Sequence, residues 1–170
     1  MNSADQLKRI IGGQFEAALC MLNDCIEKCP ESHWDSPIAK YPFWHVVYHT
    51  LCFVDVYLAP NDESWMPSTG EGGFHPAGRD ELNEEYPSRR FTRDEMRSYM
   101  RACRSLLLEA MNAETEASLV GPSGFPHLAI TRAELHLYSI RHVQHHTGQL
   151  GASLRRLGVQ LRWVKTGWKD

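Results

Sequence analysis

The chain lacks any run of about 18 apolar residues, so no membrane-spanning helix is expected. It also lacks a basic tract: 18 Lys and Arg stand against 21 Asp and Glu, for a net charge of -3. That balance argues against nucleic acid or an anionic membrane as the main partner. The basic residues near the end, Arg155, Arg156, Arg162, Lys165 and Lys169, suit a solvated surface equally well. No Cys-x-x-Cys spacing occurs, and the five cysteines are an odd number. Cys20, Cys25 and Cys29 fall in one predicted helix, where apolar packing is a better reading than metal ligation. The opening Met-Asn-Ser-Ala-Asp-Gln lacks the basic-then-apolar profile of a secretory leader, so a reducing cytoplasm is the expected compartment. No internal repeat, low-complexity tract or convincing alternating strand pattern is visible.

What the chain has is helical periodicity. Its 170 residues suit one domain spanning 1–170, and 42% hydrophobic with 23% charged residues is ordinary for a globular protein. The first helix is expected from about Ala4 to Cys29, with Leu7, Ile10, Ile11, Phe15, Ala18, Leu22, Cys25, Ile26 and Cys29 in steps of three and four before Pro30. Gly12 and Gly13 weaken this helix or mark a close approach. A second helix, about Pro42 to Leu58, is apolar nearly all round and belongs at the centre of the fold. Thr92 with Glu95 and Thr131 with Glu134 read as capping boxes opening a third helix, to about Met111, and a fourth, to about Leu157 before Gly158. The expected fold is therefore all-α, an antiparallel four-helix bundle with a long loop between helices two and three. That loop, 59–91, is rich in Pro and Gly, and its length suggests a substrate cover carrying Trp65, Phe74 and Tyr86. The tail after Val159 is expected to pack through Trp163 and Trp168.

The chemistry concentrates at residues 141–150, Arg-His-Val-Gln-His-His-Thr-Gly-Gln-Leu. His142 and His146 are four apart and so share a helical face. On a wheel with His142 at 0°, His146 falls near 40° and the apolar face centres at about 80°. Both imidazoles thus point toward the interior, where burying them without partners is costly. His49 lies inside the apolar second helix, and a metal held between two helices by His49, His142 and His146 follows. His45 repeats the i, i+4 spacing with His49 but sits a turn nearer solvent, and is read as an entrance or supporting residue. His145 points away from the apolar face, and His33, His75, His127 and His136 are too scattered to serve as ligands.

His49, with His142-x-x-x-His146 followed by Gly148-Gln149-Leu150, resembles the metal site of the DinB-like superfamily of four-helix metal-binding proteins. The family motif commonly reads His-Arg-Gly-Gln, and here Thr147 replaces the arginine. The segment from Leu137 to His146 is particularly similar to one branch of that superfamily, and helix order, loop placement and length extend the likeness over most of the chain. The resemblance implies a divalent ion (zinc, nickel or iron, with zinc slightly ahead) on His49, His142 and His146, often in a homodimer. Some relatives transfer low-molecular-weight thiols or isomerise thiol adducts, others are metal-dependent hydrolases, and many have no known activity. Membership specifies the site better than the reaction.

Three neutral imidazoles leave coordination positions open, as a catalytic site requires. The expected function is a metal-dependent enzyme on small molecules, of thiol S-transferase or hydrolase type, with His45, Asp55, Tyr138 and Gln149 as candidate helpers. The other reading is a non-catalytic metal-binding or stress-response bundle acting through protein association. A cavity reaching the ion favours the first; a sealed site favours the second.

Overall fold

The computed structural model describes residues 3–82 and 87–169. Among them the chain forms α1 (Ser3–Lys28), β1 (Pro37–Ile38), β2 (Tyr41–Pro42), α2 (Phe43–Leu58), α3 (Arg93–Ala113), α4 (Glu116–Val120) and α5 (Arg132–Arg156). The protein is mostly helical. α3 and α5 each pack against both α1 and α2, and α2 is the most deeply buried of the long helices. Both predicted capping boxes are present, at Thr92–Glu95 and Thr131–Glu134, and Gly158 follows α5 with φ +79°.

Several expectations are corrected. A fifth helix, α4, fills part of the predicted loop before α5, opened by a Thr115–Ser118 capping box of weaker residues. A two-stranded antiparallel sheet precedes α2, pairing Pro37 with Pro42 and Ile38 with Tyr41. Its two central residues are Ala39, at φ +56°, and Lys40, a turn too short to show as sequence alternation. Leu7 and Ile10, placed in the apolar stripe of α1, are exposed, and burial begins at Ile11. Trp163 is 76% exposed. Trp168 does pack, against the core and under the Arg104 guanidinium, and the tail is further held by buried Val164 and by Arg162 on Asp24. Gly13 does mark a close approach: a Cβ there would lie 2.8 Å from Thr166 Oγ1.

The 59–91 connection is not structureless. It contains a 3-10 turn at Gly78–Leu82 and is pinned to the core by His75, which is fully buried. His75 Nδ1 accepts from the Ser68 N–H at 3.3 Å, and its Nε2 lies 2.8 Å from Tyr99 Oη, which donates to Asp55. Trp65 and Phe74 pack inward on His75 and Tyr99, and Tyr86 lies outside the described residues.

One buried ionic cluster sets the register of α2 against α5. Arg132, in the first turn of α5, donates to the carbonyls of Tyr57, Leu58 and Ala59 at the end of α2, groups that a helix terminus leaves without partners. Its Nε pairs with Glu114 at 2.8 Å, and His136 Nε2 reaches the same carboxylate oxygen at 2.9 Å. Burial would raise the Glu114 carboxyl, but the bonds from His136, Arg132 and Ser118 hold it at about 2. His49 lies nine residues before Leu58, and His142 ten after Arg132. At a rise of about 1.5 Å per residue, these offsets bring both rings to nearly the same distance from the Arg132 junction, about 14–15 Å.

Candidate metal centre

At that level His49 from α2 meets His142 and His146 from α5. One ring nitrogen from each falls within 4.8 Å of the other two, and the His49 and His142 Nε2 atoms are 3.2 Å apart. Ring nitrogens sharing one ion at 2.0–2.1 Å stand about 3.0–3.4 Å from each other, so the closest pair already has a ligating separation. All three rings are half-buried. Burial, reinforced by His146 and then His45, pulls His49 down to about 4. Burial together with the neighbouring His146 and His49 takes His142 to about 3. His146 is lowered too, chiefly by burial, with Gln149 opposing the shift. The three imidazoles are therefore neutral at pH 7, the form that donates a lone pair to a metal. Donor type, spacing and protonation state all suit a single divalent ion.

Gln149 orients one of these rings. Its Oε1 accepts from His146 Nδ1 at 2.9 Å, which places the His146 proton on Nδ1 and leaves Nε2 with its lone pair. Its Nε2 donates to His145 Nε2 at 3.2 Å, which fixes the amide in that orientation. His145 itself is exposed and outside the cluster, as its helical position implied.

Of the other candidate helpers, His45 is buried against Tyr41 and Trp44 and lines the cavity that reaches the centre. Asp55 faces the Tyr99–His75 anchor, and burial raises its carboxyl pKa against the Tyr99 hydrogen bond. Tyr138 packs on Tyr57 and lies under Arg141. Neither Asp55 nor Tyr138 lines the cavity. His33, His127 and His136 bond to Ser153, Tyr57 and Glu114 respectively, apart from the cluster. All five cysteines are free and buried.

A cavity of about 390 Å³ opens against His49, His146 and Gln149. Sequence reasoning missed most of its wall: the β1–β2 hairpin, Tyr48, Glu81, Leu82 and Pro87. Glu81 is 5% exposed, and its only sequence signal was a charged residue within the long connection.

A mostly helical protein with three interhelical histidines and a cavity beside them is the class defined by this geometry. The DinB family model matches residues 4–170, and the chain belongs to that family. No curated protein and no solved structure is significantly similar to it. No helix among the described residues is long and apolar enough to cross a membrane.

Proposed function

We propose that this protein is a metal-dependent enzyme acting on small molecules, built on a four-helix-bundle frame, with His49, His142 and His146 holding one divalent ion, zinc ahead of nickel or iron. The observation that carries the catalytic part is the cavity, since a metal kept only for structure or storage has no need of a substrate-sized opening at its ligands. When bound, such an ion supplies Lewis acidity that makes water or a thiol available as a nucleophile at neutral pH. The protein's own part is preparatory. Burial keeps the rings neutral, Gln149 holds the His146 proton on Nδ1, and the cavity gives a small molecule access to the His49 and His146 rings. Family membership and this donor set support transfer of a thiol, or hydrolysis, as the reaction type.

The test is metal content of protein purified without an affinity tag, followed by His146→Ala. That variant is expected to lose metal and activity together while its circular dichroism stays helical. Full metal occupancy in His146→Ala overturns the ligand assignment. A thermal-shift panel of low-molecular-weight thiols and anionic electrophiles that moves nothing overturns the enzymatic reading and leaves the non-catalytic bundle.

A further inference from the structure

The cavity wall is polar as well as apolar. His45, Tyr48 and Glu81 stand in it among Val46 and Leu82, with exposed Lys40 at the rim. Glu81 is the unusual member, a carboxylate on a residue only 5% exposed. Its Oε1 accepts from the Ala77 N–H at 3.0 Å and the Ser88 hydroxyl at 2.6 Å, and its Oε2 from the Ser88 N–H at 3.0 Å. These bonds fix the group in place within the long connection, yet each comes from a neutral donor. Each carboxylate oxygen has room for two hydrogen bonds, so one position on Oε2 stays open. Among the described residues no cation pairs with Glu81. His75, within electrostatic reach, is lowered by burial to about 4 and carries no charge at neutral pH. A buried charge ordinarily has a counter-charge, because taking it out of water is costly. Tyr48 and Cys52, the α2 residues that feel the Glu81 charge, stand on either side of His49 in the sequence and line the same cavity. The carboxylate therefore faces the stretch of α2 that carries a metal ligand.

We infer that Glu81 is a specificity residue and that it selects a small amine-bearing thiol, with the sulfur on the ion held by His49, His142 and His146 and the ammonium on Glu81. This rests on the reading of the site as a metal centre that takes a thiol. The two ends of such a ligand carry opposite charges to opposite partners. The thiolate meets the positive ion, while the ammonium supplies the missing counter-charge and fills the open position on Oε2. Further polar groups on the ligand are compatible with the wall, which holds His45 and Tyr48 as well. A hydrogen bond to a charged group is worth roughly ten- to a hundredfold in affinity. An anion at the same place meets like charge instead.

The experiment begins by measuring uptake of zinc, nickel and iron by the full chain. The metal-loaded protein is then titrated calorimetrically with cysteamine, 3-aminopropanethiol and 4-aminobutanethiol, which scan the distance from sulfur to nitrogen. Propanethiol, butanethiol and pentanethiol are the uncharged matches and 3-mercaptopropionate the anionic one, with affinities expressed per thiolate. At the best spacing the aminothiol is expected to bind about tenfold or more tighter than its uncharged match, and 3-mercaptopropionate to bind more weakly than either. Glu81→Gln should cut that preference at least about fivefold while metal affinity is unchanged. Equal binding of aminothiols and alkanethiols at every spacing, or tightest binding of 3-mercaptopropionate, overturns this inference alone. That comparison uses the parent protein and serves if Glu81→Gln does not fold. A preference that survives in Glu81→Gln puts the amine elsewhere, the metal included, and also overturns the inference. If the metal-loaded protein binds none of these thiols, the thiol reading fails and this inference with it. Failure to take up any of the three metals overturns the metal reading and both that rest on it.

Discussion

Gln149 is exposed, yet it holds two histidines by opposite ends of one amide. Truncating it removes little packing, so Gln149→Ala should leave the melting temperature of the metal-free protein within about 1–2 °C of the parent. Metal affinity should fall about 10- to 100-fold, the usual cost of losing a hydrogen bond that orients a ligating histidine. Competition with a chelator of known affinity measures this, and unchanged affinity would remove Gln149 from the site. His145→Ala should retain one ion per chain, because the direct bond from His146 to Gln149 survives. His142 and His146 were legible at this scale because a helix repeats every 3.6 residues. The roles of Asp55 and Tyr138 were not, since each is decided by a neighbour more than 15 residues away: Tyr99 for Asp55 and Tyr57 for Tyr138.

Arg132 joins the end of α2, the start of α5 and the Glu114 carboxylate after α3. Arg132→Ala takes the guanidinium from a buried carboxylate, leaving it only the His136 and Ser118 bonds, and removes a donor from the carbonyls of Tyr57, Leu58, Ala59 and Ser123. It should cost about 3–5 kcal/mol in urea unfolding, and a loss below 1 kcal/mol would mean that water replaces the guanidinium. The 59–91 connection depends on His75, which burial lowers from 6.5 to about 4. Between those values the unfolded chain binds a proton at this ring that the folded chain does not. Stability therefore falls as pH drops from 6.5 toward 4, by roughly 3 kcal/mol for a shift of that size. His75→Gln removes the titrating group, so its stability should vary less with pH across that window, by up to about one proton. An unaltered slope would show that other histidines carry the dependence. Capping made the helix starts readable, but a loop pinned by one internal histidine gives no periodic signal.

A divalent ion bound only by the folded chain stabilises it by mass action. At 100 times its dissociation constant this amounts to about 2.7 kcal/mol, or about 5–10 °C in melting temperature for a protein of this size. Chelation should reverse the gain without abolishing the helical signal, because the core of α1, α2, α3 and α5 is continuous without the histidines. Differential scanning calorimetry with and without chelator measures both effects. Complete loss of helicity on chelation would make the ion structural and weaken the catalytic proposal.

Periodicity, caps and the i, i+4 histidine pair are local properties, and the sequence alone determined them: where the long helices run, which faces turn inward, and that His142 and His146 share one face. Whether His49 would meet them depended on the register of α2 against α5, which Arg132 sets through carbonyls more than 70 residues away. The cavity wall likewise draws on the hairpin, α2, the long connection and α5. Only the tertiary structure decided these, because side chains distant in sequence become neighbours through packing that no local pattern encodes.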